Sequence, residues 1–177
     1  MKISIAKPDL SNKEKDYMNA AFDSTFISSV GEYVTKFEKE FAKYVGVKHA
    51  TTTSNGTTAL HLILEAIGVE GKEFIVPRLT FVASASSVLH AKGIPVLVDV
   101  GEDWNIGVDK VKEAITDKTA VIMAVHLYGQ PAAMNELKKI AKENKLFLLE
   151  DCAEAPGAKY AGEKVGSIGN AGAFSFY

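Results

Sequence analysis

The chain has 177 residues, of which 47% are hydrophobic, enough to build the core of one domain of ordinary size. The net charge is −2 with acidic and basic residues interspersed, so no basic surface argues for nucleic acid or an anionic membrane as partner. The single cysteine, Cys152, excludes a disulfide framework, and no apolar run approaches the roughly 20 residues that cross a bilayer. The N-terminus up to Pro8 is too short and interrupted for a signal sequence, so we expect a cytoplasmic protein.

Two segments are expected before the main alternating pattern begins. Residues 1–33 are predicted to form an N-terminal arm with one short helix around residues 12–22, and residues 34–177 to form a single further unit. Apolar residues from Val34 to Val45 recur at helical spacing, and Gly46 is placed to end that helix. The β-branched run 49–53 predicts a short strand, and residues 57–67 predict a helix that is apolar almost all round.

The rest of the chain alternates between short apolar strands and helical stretches. Strands are predicted at 73–76, 95–99, 120–125, 146–150 and 172–176, with helices at 82–91, 108–115 and 132–144. Because the strands are continuously apolar, the pattern indicates an α/β fold with a parallel sheet covered by helices on both faces. Ligands of such sheets bind beyond the carboxyl ends of the strands, so the residues that follow each strand are the candidates for chemistry.

The turn Ser54-Asn-Gly-Thr-Thr58 lies between a predicted strand and a buried helix. Free N–H groups and the positive end of the helix dipole make such a turn an anion site, and Gly56 allows a phosphate to approach closely. The alternative is an Asn-Gly turn with a threonine N-cap, which is common in α/β proteins and the more frequent outcome when the turn is taken alone.

Asp151 follows the strand at 146–150, where a carboxylate needs a cationic partner or several hydrogen bonds. A protonated pyridine nitrogen is such a partner, and the alternative is that Asp151 caps the following turn. Phe81 can stack on a flat ligand or belong to the core. His126 is a base or, more often for a strand-end histidine, a structural residue, and Cys152 is a small buried apolar residue.

Several segments occur in an order that resembles one family. They are Thr53-Ser-Asn-Gly-Thr57, Val76-Pro77 with Thr80-Phe81, Gly93 to Asp99, Ile115 to Thr119, Val125-His-Leu-Tyr-Gly129, Glu150-Asp-Cys-Ala-Glu-Ala155 and Phe174-Ser-Phe-Tyr177. Together they resemble the DegT/StrS-type nucleotide-sugar aminotransferases, which depend on pyridoxal 5'-phosphate (PLP). The resemblance runs from about Pro8 to Tyr177 and covers about the first half of a full-length member.

The resemblance implies a fold and a set of cofactor contacts. The fold is the large domain of a fold-type I PLP-dependent transferase, similar to aspartate aminotransferase, truncated before the Schiff-base lysine, which is expected three residues after Tyr177. No catalytic residue and no metal ligand is then expected within the chain. By resemblance, Gly56, Thr57, Thr58 and Ser175 contact the phosphate, Phe81 stacks on the ring, Asp151 pairs with the pyridine nitrogen, and Glu154 lies near the 3-oxygen, where the family often has Gln or His.

The resemblance also implies an activity. A perosamine-synthase-like enzyme would transfer an amino group, usually from glutamate, to the 4-keto carbon of a nucleotide-linked 6-deoxyhexose in deoxyamino-sugar and polysaccharide biosynthesis. It would act as a homodimer when full length, and the 177 residues alone are expected to be inactive. One alternative is a related PLP- or pyridoxamine-phosphate-dependent sugar dehydratase, in which a histidine replaces the lysine. The other is a non-catalytic fragment.

A last expectation concerns the sheet. In the fold implied by the resemblance, a seventh, antiparallel strand lies between the first strand, here 49–53, and the last one present, here 172–176. We therefore expect these two segments not to pair, and a strand-wide gap to separate them.

Overall fold

The computed structural model describes residues 9–177, so Pro8 and the start of the expected N-terminal arm lie outside the described residues. The helices are α1 (Asn12–Asp23), α2 (Glu32–Val45), α3 (Gly56–Ile67), α4 (Val82–His90), α5 (Val108–Ala114) and α6 (Met134–Asn144). The strands are β1 (Glu73–Pro77), β2 (Ile94–Val98), β3 (Thr119–Val125), β4 (Phe147–Asp151), β5 (Lys159–Tyr160), β6 (Glu163–Lys164) and β7 (Ala171–Ala173).

The main sheet has five strands in the order β2-β1-β3-β4-β7, and every pairing is parallel. Alternation of side chains along β3 explains why this sheet is covered on both sides. Val121, Met123 and Val125 contribute to one apolar cluster, whereas Ile122 and Ala124 contribute to the other. The parallel α/β architecture expected from the continuously apolar strands is therefore confirmed.

Two helices cover each face of the sheet. Leu60 and Leu64 of α3 and Val88 of α4 pack into one core cluster, so these two helices share a face. The opposite cluster contains Val111 of α5 and the buried side of α6. Because α4 follows β1, its N-terminus lies at the carboxyl edge of the sheet, and α3 begins at the same edge, beside the segment that follows β7.

The prediction of a strand at residues 49–53 is wrong. These residues have no strand in the structure, and the N–H and hydroxyl of Thr52 instead donate to Glu38 Oε1 at 2.8 and 2.9 Å. The main sheet of the described chain therefore has five strands rather than the expected six. The last strand is also shorter than expected, since it ends at Ala173, after which Phe174 and Phe176 pack edge-on against Phe41 of α2.

A groove of about 370 Å³ is lined by residues 49–56 and by β7 with the residues around it. Within residues 9–177, β7 pairs with β4 alone, which agrees with the expected lack of a ladder between these segments. The antiparallel pair β5–β6 lies in a segment for which the sequence predicted neither a strand nor a helix. Across the described part of the chain, no helix combines the length and apolarity needed to span a membrane.

Candidate functional site

The N-terminus of α3 presents free hydrogen-bond donors. Asn55 is the N-cap, and its side chain accepts a hydrogen bond from the Thr58 N–H at 3.0 Å. The Thr58 hydroxyl also turns back to the cap, donating to the Asn55 carbonyl at 2.8 Å. Within residues 9–177, the N–H groups of Gly56 and Thr57 have no hydrogen-bond partner, because they belong to the first turn of the helix. Gly56 and Thr57 can therefore receive an anion, whereas the Thr58 N–H is already in use.

Ser175 lies directly beside the N–H groups of Gly56 and Thr57. A Cβ added to Gly56 would come within 2.9 Å of Ser175 Cβ, so the two residues are in direct contact only because position 56 is glycine. Phe174 and Phe176 both face Phe41, with ring centroids 4.9 and 5.4 Å away. The alternation of an extended segment then turns Ser175 the opposite way, toward α3.

Asp151 ends β4 at the same edge, in register with Ala173 of β7. The residue is only 5% exposed, and each of its carboxylate oxygens accepts one hydrogen bond. Oδ2 accepts from the Ser84 hydroxyl at 2.8 Å, and Oδ1 accepts from the Ala153 N–H at 3.2 Å. Within residues 9–177 no lysine, arginine or histidine forms an ion pair with Asp151. The carboxylate is thus buried and oriented without a cation beside it.

The buried environment makes Asp151 harder to ionise than a solvent-exposed aspartate. Burial raises the pKa of the Asp151 carboxyl above its usual 3.8, and the hydrogen bonds from Ser84 and Ala153 counteract this rise only in part. The nearby Glu154 carboxylate raises the pKa further, while His126 lowers it. A cation bound at this edge would relieve that cost, which is the behaviour expected of a carboxylate that serves a charged ligand.

Phe81 and Glu154 flank this edge from two loops. Phe81 is the residue before α4 and its side chain is 70% exposed, so its ring is free to stack on a flat ligand. Glu154 is exposed, and its Oε2 accepts a hydrogen bond from the Tyr128 N–H at 2.8 Å. Tyr128 has a left-handed backbone with φ of 51°. Glu154 therefore holds a strained turn at the end of β3, a contact that the sequence did not indicate.

Glu150, next to Asp151, is buried on the opposite side of β4. Its carboxylate accepts four hydrogen bonds, from His126 Nε2 at 3.0 Å and from the N–H groups of Gly166, Ile168 and Gly169 at 2.6–2.8 Å. Burial alone would raise the pKa of Glu150, but these donors outweigh it and the pKa lies below its usual 4.5. Glu150 thus anchors the loop before β7 to the strand that carries Asp151.

His126 and Cys152 adjoin Glu150, and the three potential ligand atoms lie within 4.8 Å of one another. Both His126 nitrogens are nevertheless engaged, because Nδ1 accepts from the Ala132 N–H at 3.1 Å while Nε2 faces Glu150. Burial, together with the charges of Glu150 and Asp151, raises the pKa of the Cys152 thiol. The cluster is accordingly a hydrogen-bonded support, since its donors and acceptors are already satisfied and its thiol is kept protonated.

Sequence reasoning missed Ser84 and Glu150 as parts of this site. Ser84 is fully buried on α4, three residues after Phe81, and Ser87 occupies the same buried face one turn later. Small hydroxyl residues at helical spacing on a buried face could have indicated a polar partner nearby. Glu150 could have been separated from Asp151 by strand alternation, which places adjacent residues on opposite faces.

Comparison with known proteins agrees with this geometry. Residues 8–177 match the model of the DegT/DnrJ/EryC1/StrS aminotransferase family. The chain therefore belongs to that family. It is 48% identical to a GDP-perosamine synthase of Escherichia coli O157:H7 over 177 residues, which cover 99% of this chain and 49% of that protein.

Two solved structures of family relatives superpose closely. A candidate sugar aminotransferase of Streptococcus pneumoniae in its PMP form gives a TM-score of 0.94 at 28% identity, covering all of this chain and 49% of its own. A GDP-4-keto-6-deoxymannose-3-dehydratase variant with bound GDP-perosamine gives 0.91 at 30% identity, covering 98% of this chain and 47% of its own. The chain thus spans about half the length of the relatives it matches, and the fold-type I architecture is confirmed.

The cofactor of this family is pyridoxal 5'-phosphate, as the sequence predicted. The residues present fit such a group. Two unpartnered N–H groups on α3 and the adjacent Ser175 suit its phosphate, and buried Asp151, which has no cation beside it in the described chain, suits its protonated ring nitrogen.

Proposed function

We propose that residues 1–177 form the cofactor-holding first part of a nucleotide-sugar aminotransferase. The observation that carries this proposal is the shared sheet edge, where the free N–H groups of Gly56 and Thr57 meet Ser175 and where buried Asp151 ends the adjacent strand. When bound, PLP supplies an electron sink for cleavage of the Cα–H bond of an amino acid. This chain holds the phosphate and keeps an ionised carboxylate at the ring nitrogen.

The substrate class follows from the similarity to GDP-perosamine synthases. We propose that the amino acceptor is the 4-keto carbon of a nucleotide-linked 6-deoxyhexose and that glutamate is the donor. The dehydratase alternative uses the same cofactor edge, and the two are separated by the product: an amino-sugar forms in one case and a deoxygenated keto-sugar in the other. Mass spectrometry of the nucleotide-sugar product distinguishes them.

Lys159 and Lys164, the two lysines nearest in sequence to Tyr177, are placed away from the role of Schiff-base lysine. Lys164 Nζ donates to the Tyr44 carbonyl and lies 3.6 Å from the centroid of the Tyr44 ring, and Lys159 is exposed on β5. Within residues 9–177, no lysine bonds to Gly56, Asp151 or Ser175. We therefore propose that residues 1–177 alone bind PLP without turnover. Borohydride reduction with peptide mapping tests this, and a stoichiometric adduct at Lys159 or Lys164 accompanied by turnover would refute it.

A homodimer is proposed as the working assembly. Helix α1 has no buried residue, and Tyr17, Met18 and Phe22 on it are each more than half exposed. Such an apolar surface favours a protein partner. Light scattering on the protein extended to the length of its relatives measures the assembly, and a monomer at micromolar concentration would contradict the proposal.

The role of Asp151 is tested by Asp151→Asn in that longer protein. The change removes the charge with little change in volume, so we expect transamination to be abolished while the circular dichroism spectrum is retained. The matched control is Asp99→Asn, because Asp99 also follows a strand but is exposed and paired with Arg78 at 2.9 Å. Near-normal turnover in Asp151→Asn, or equal loss in both variants, would overturn the assignment.

A further inference from the structure

The hydroxyl groups of Ser84 and Thr80 are linked in series to the Asp151 carboxylate by hydrogen bonds. Ser84 lies in the first turn of α4, is fully buried, and has its Oγ 2.8 Å from Asp151 Oδ2. Thr80, in the loop before that helix, has its Oγ1 2.7 Å from Ser84 Oγ. The three side chains thus form a chain of hydrogen bonds that runs from the β1–α4 loop to the end of β4.

The direction of these hydrogen bonds follows from the ionised carboxylate. An ionised carboxylate only accepts, so Ser84 must donate its proton to Asp151. The Ser84 oxygen then accepts from the Thr80 hydroxyl, which polarises the serine and strengthens its bond to the carboxylate. If Asp151 were protonated, this alignment would no longer be required. The pair therefore stabilises the charged form specifically.

The pair is not explained by the needs of helix α4. The residue before the helix, Phe81, makes no side-chain capping bond, and neither Thr80 nor Ser84 caps the first turn through its hydroxyl. Ser87, one turn later on the same buried face, shows the ordinary alternative, because its hydroxyl donates to the backbone carbonyl of Ser84 at 3.1 Å. The Ser84 hydroxyl instead donates to Asp151, which is distant in the sequence.

Few other groups stabilise the Asp151 charge. Its second oxygen accepts a hydrogen bond from the Ala153 N–H, His126 lowers the Asp151 pKa, and the Glu154 carboxylate raises it. Cys152, which follows in the chain, is kept protonated. Among the groups that lower the Asp151 pKa and so oppose the effect of burial, the Ser84 hydroxyl has the largest effect.

We propose that Thr80 and Ser84 are positioning residues that keep Asp151 ionised and aimed at the bound cofactor. The inference rests on the proposed role of Asp151 and extends it to two residues that do not themselves contact the ring. It predicts that removing either hydroxyl changes how Asp151 titrates and leaves the fold intact.

The direct test is carbon-13 NMR titration of the Asp151 carboxyl in the protein without cofactor, with the signal assigned by its loss in Asp151→Asn. We expect Ser84→Ala to raise the titration midpoint by about one unit, since a hydrogen bond to a charged group is lost. Thr80→Val should raise it by less, whereas Thr80→Ser, which keeps the hydroxyl, should restore it. Ser87→Ala is the matched control and should leave the midpoint unchanged.

A second measurement follows cofactor binding by absorbance as a function of pH. In Ser84→Ala, the pH at which cofactor binding is half lost on the acid side should rise by about one pH unit, as the Asp151 titration midpoint does. An unchanged Asp151 midpoint in both Ser84→Ala and Thr80→Val would overturn the inference. If Ser84→Ala fails to fold, the comparison of Thr80→Val with Thr80→Ser decides the matter. Failure of the proposed function appears separately, as cofactor binding that is insensitive to Asp151→Asn.

Discussion

Two neighbouring carboxylates at the end of β4 have opposite properties because strand alternation sends them to opposite faces. Glu150 meets four donors and its pKa is lowered, whereas Asp151 meets two and its pKa is raised by burial. The charge of Glu150 is therefore stabilised by groups within the protein, whereas the charge of Asp151 would be stabilised further by a bound cation. This division lets one strand end combine a structural anchor with a ligand-binding charge.

Glu150→Gln is expected to destabilise the protein by about 3 kcal/mol at neutral pH, because each carboxylate oxygen accepts two hydrogen bonds and the amide NH₂ would replace one oxygen and face two N–H donors. Urea unfolding measures this loss. Glu143→Gln is a suitable control, since Glu143 is exposed and lies 3.9 Å from Lys139. A loss below about 0.5 kcal/mol, the range of ordinary surface substitutions, would show that the anchor has little weight.

The two carboxylates should also give opposite dependences of stability on pH. Glu150 has a lowered folded pKa, so its contribution is present above 4.5 and is lost as the pH falls through the folded value. Asp151 has a raised folded pKa, so its contribution is present below 3.8 and is lost as the pH rises through the folded value. We therefore expect Asp151→Asn to gain stability relative to the wild type as the pH rises above 3.8, and the deficit of Glu150→Gln relative to the wild type to shrink as the pH falls below 4.5. Parallel pH profiles of urea unfolding would contradict this assignment.

At the scale of elements, the helices were predictable where the sequence carries both a period and a terminator. Helix α2 ends at Gly46, which has φ of 94°, as its glycine indicated. Helix α6 ends at Asn144, as predicted, although the residue that follows, Lys145, has φ of 56° without being a glycine. Its start was predicted less well, since the helix begins at Met134 rather than at residue 132.

The strands were predictable only where a neighbour exists to pair with them. Residues 49–53 have high strand propensity, but that propensity measures fit to a pleated neighbour, and here Glu38 takes the Thr52 N–H instead. The candidate site shows the same limit. Gly56 and Asp151 could be proposed from local patterns, whereas the contacts of Ser84 with Asp151 and of Tyr128 with Glu154 join elements distant in sequence.

The two helix ends give a matched pair of predictions. Lys145→Gly should stabilise the protein by about 0.5–1 kcal/mol, because glycine adopts the left-handed conformation without strain. Gly46→Ala should destabilise it by about 1 kcal/mol for the converse reason. Both positions are exposed, so changes in packing are small. Urea unfolding checks both, and changes of the same sign in the two variants would contradict the argument.

At the scale of the whole molecule, the groove beside β7 is the least complete part of the fold. One wall is the outer edge of a three-residue strand that pairs only with β4 within the described chain, and the other is the unpaired segment 51–53. The centre of the sheet is different, because β3 pairs on both sides and its residues 121–124 are fully buried. Backbone groups along an open edge are satisfied by solvent or by another chain.

Hydrogen exchange should therefore divide the sheet into protected and open parts. We expect the amides of residues 51–53 and 171–173 to exchange at least about 100-fold faster than those of residues 121–124, since opening of a solvent-facing edge costs far less than global unfolding. In a protein extended to the length of its relatives, where the family resemblance implies a further strand in this groove, we expect protection of both walls to rise together. The control is β2, the opposite edge strand, whose protection should not change. Equal protection of β7 and β3 in residues 1–177 at every protein concentration would show that the groove edge is already closed, whereas protection that increases with concentration would mean that a second copy fills it.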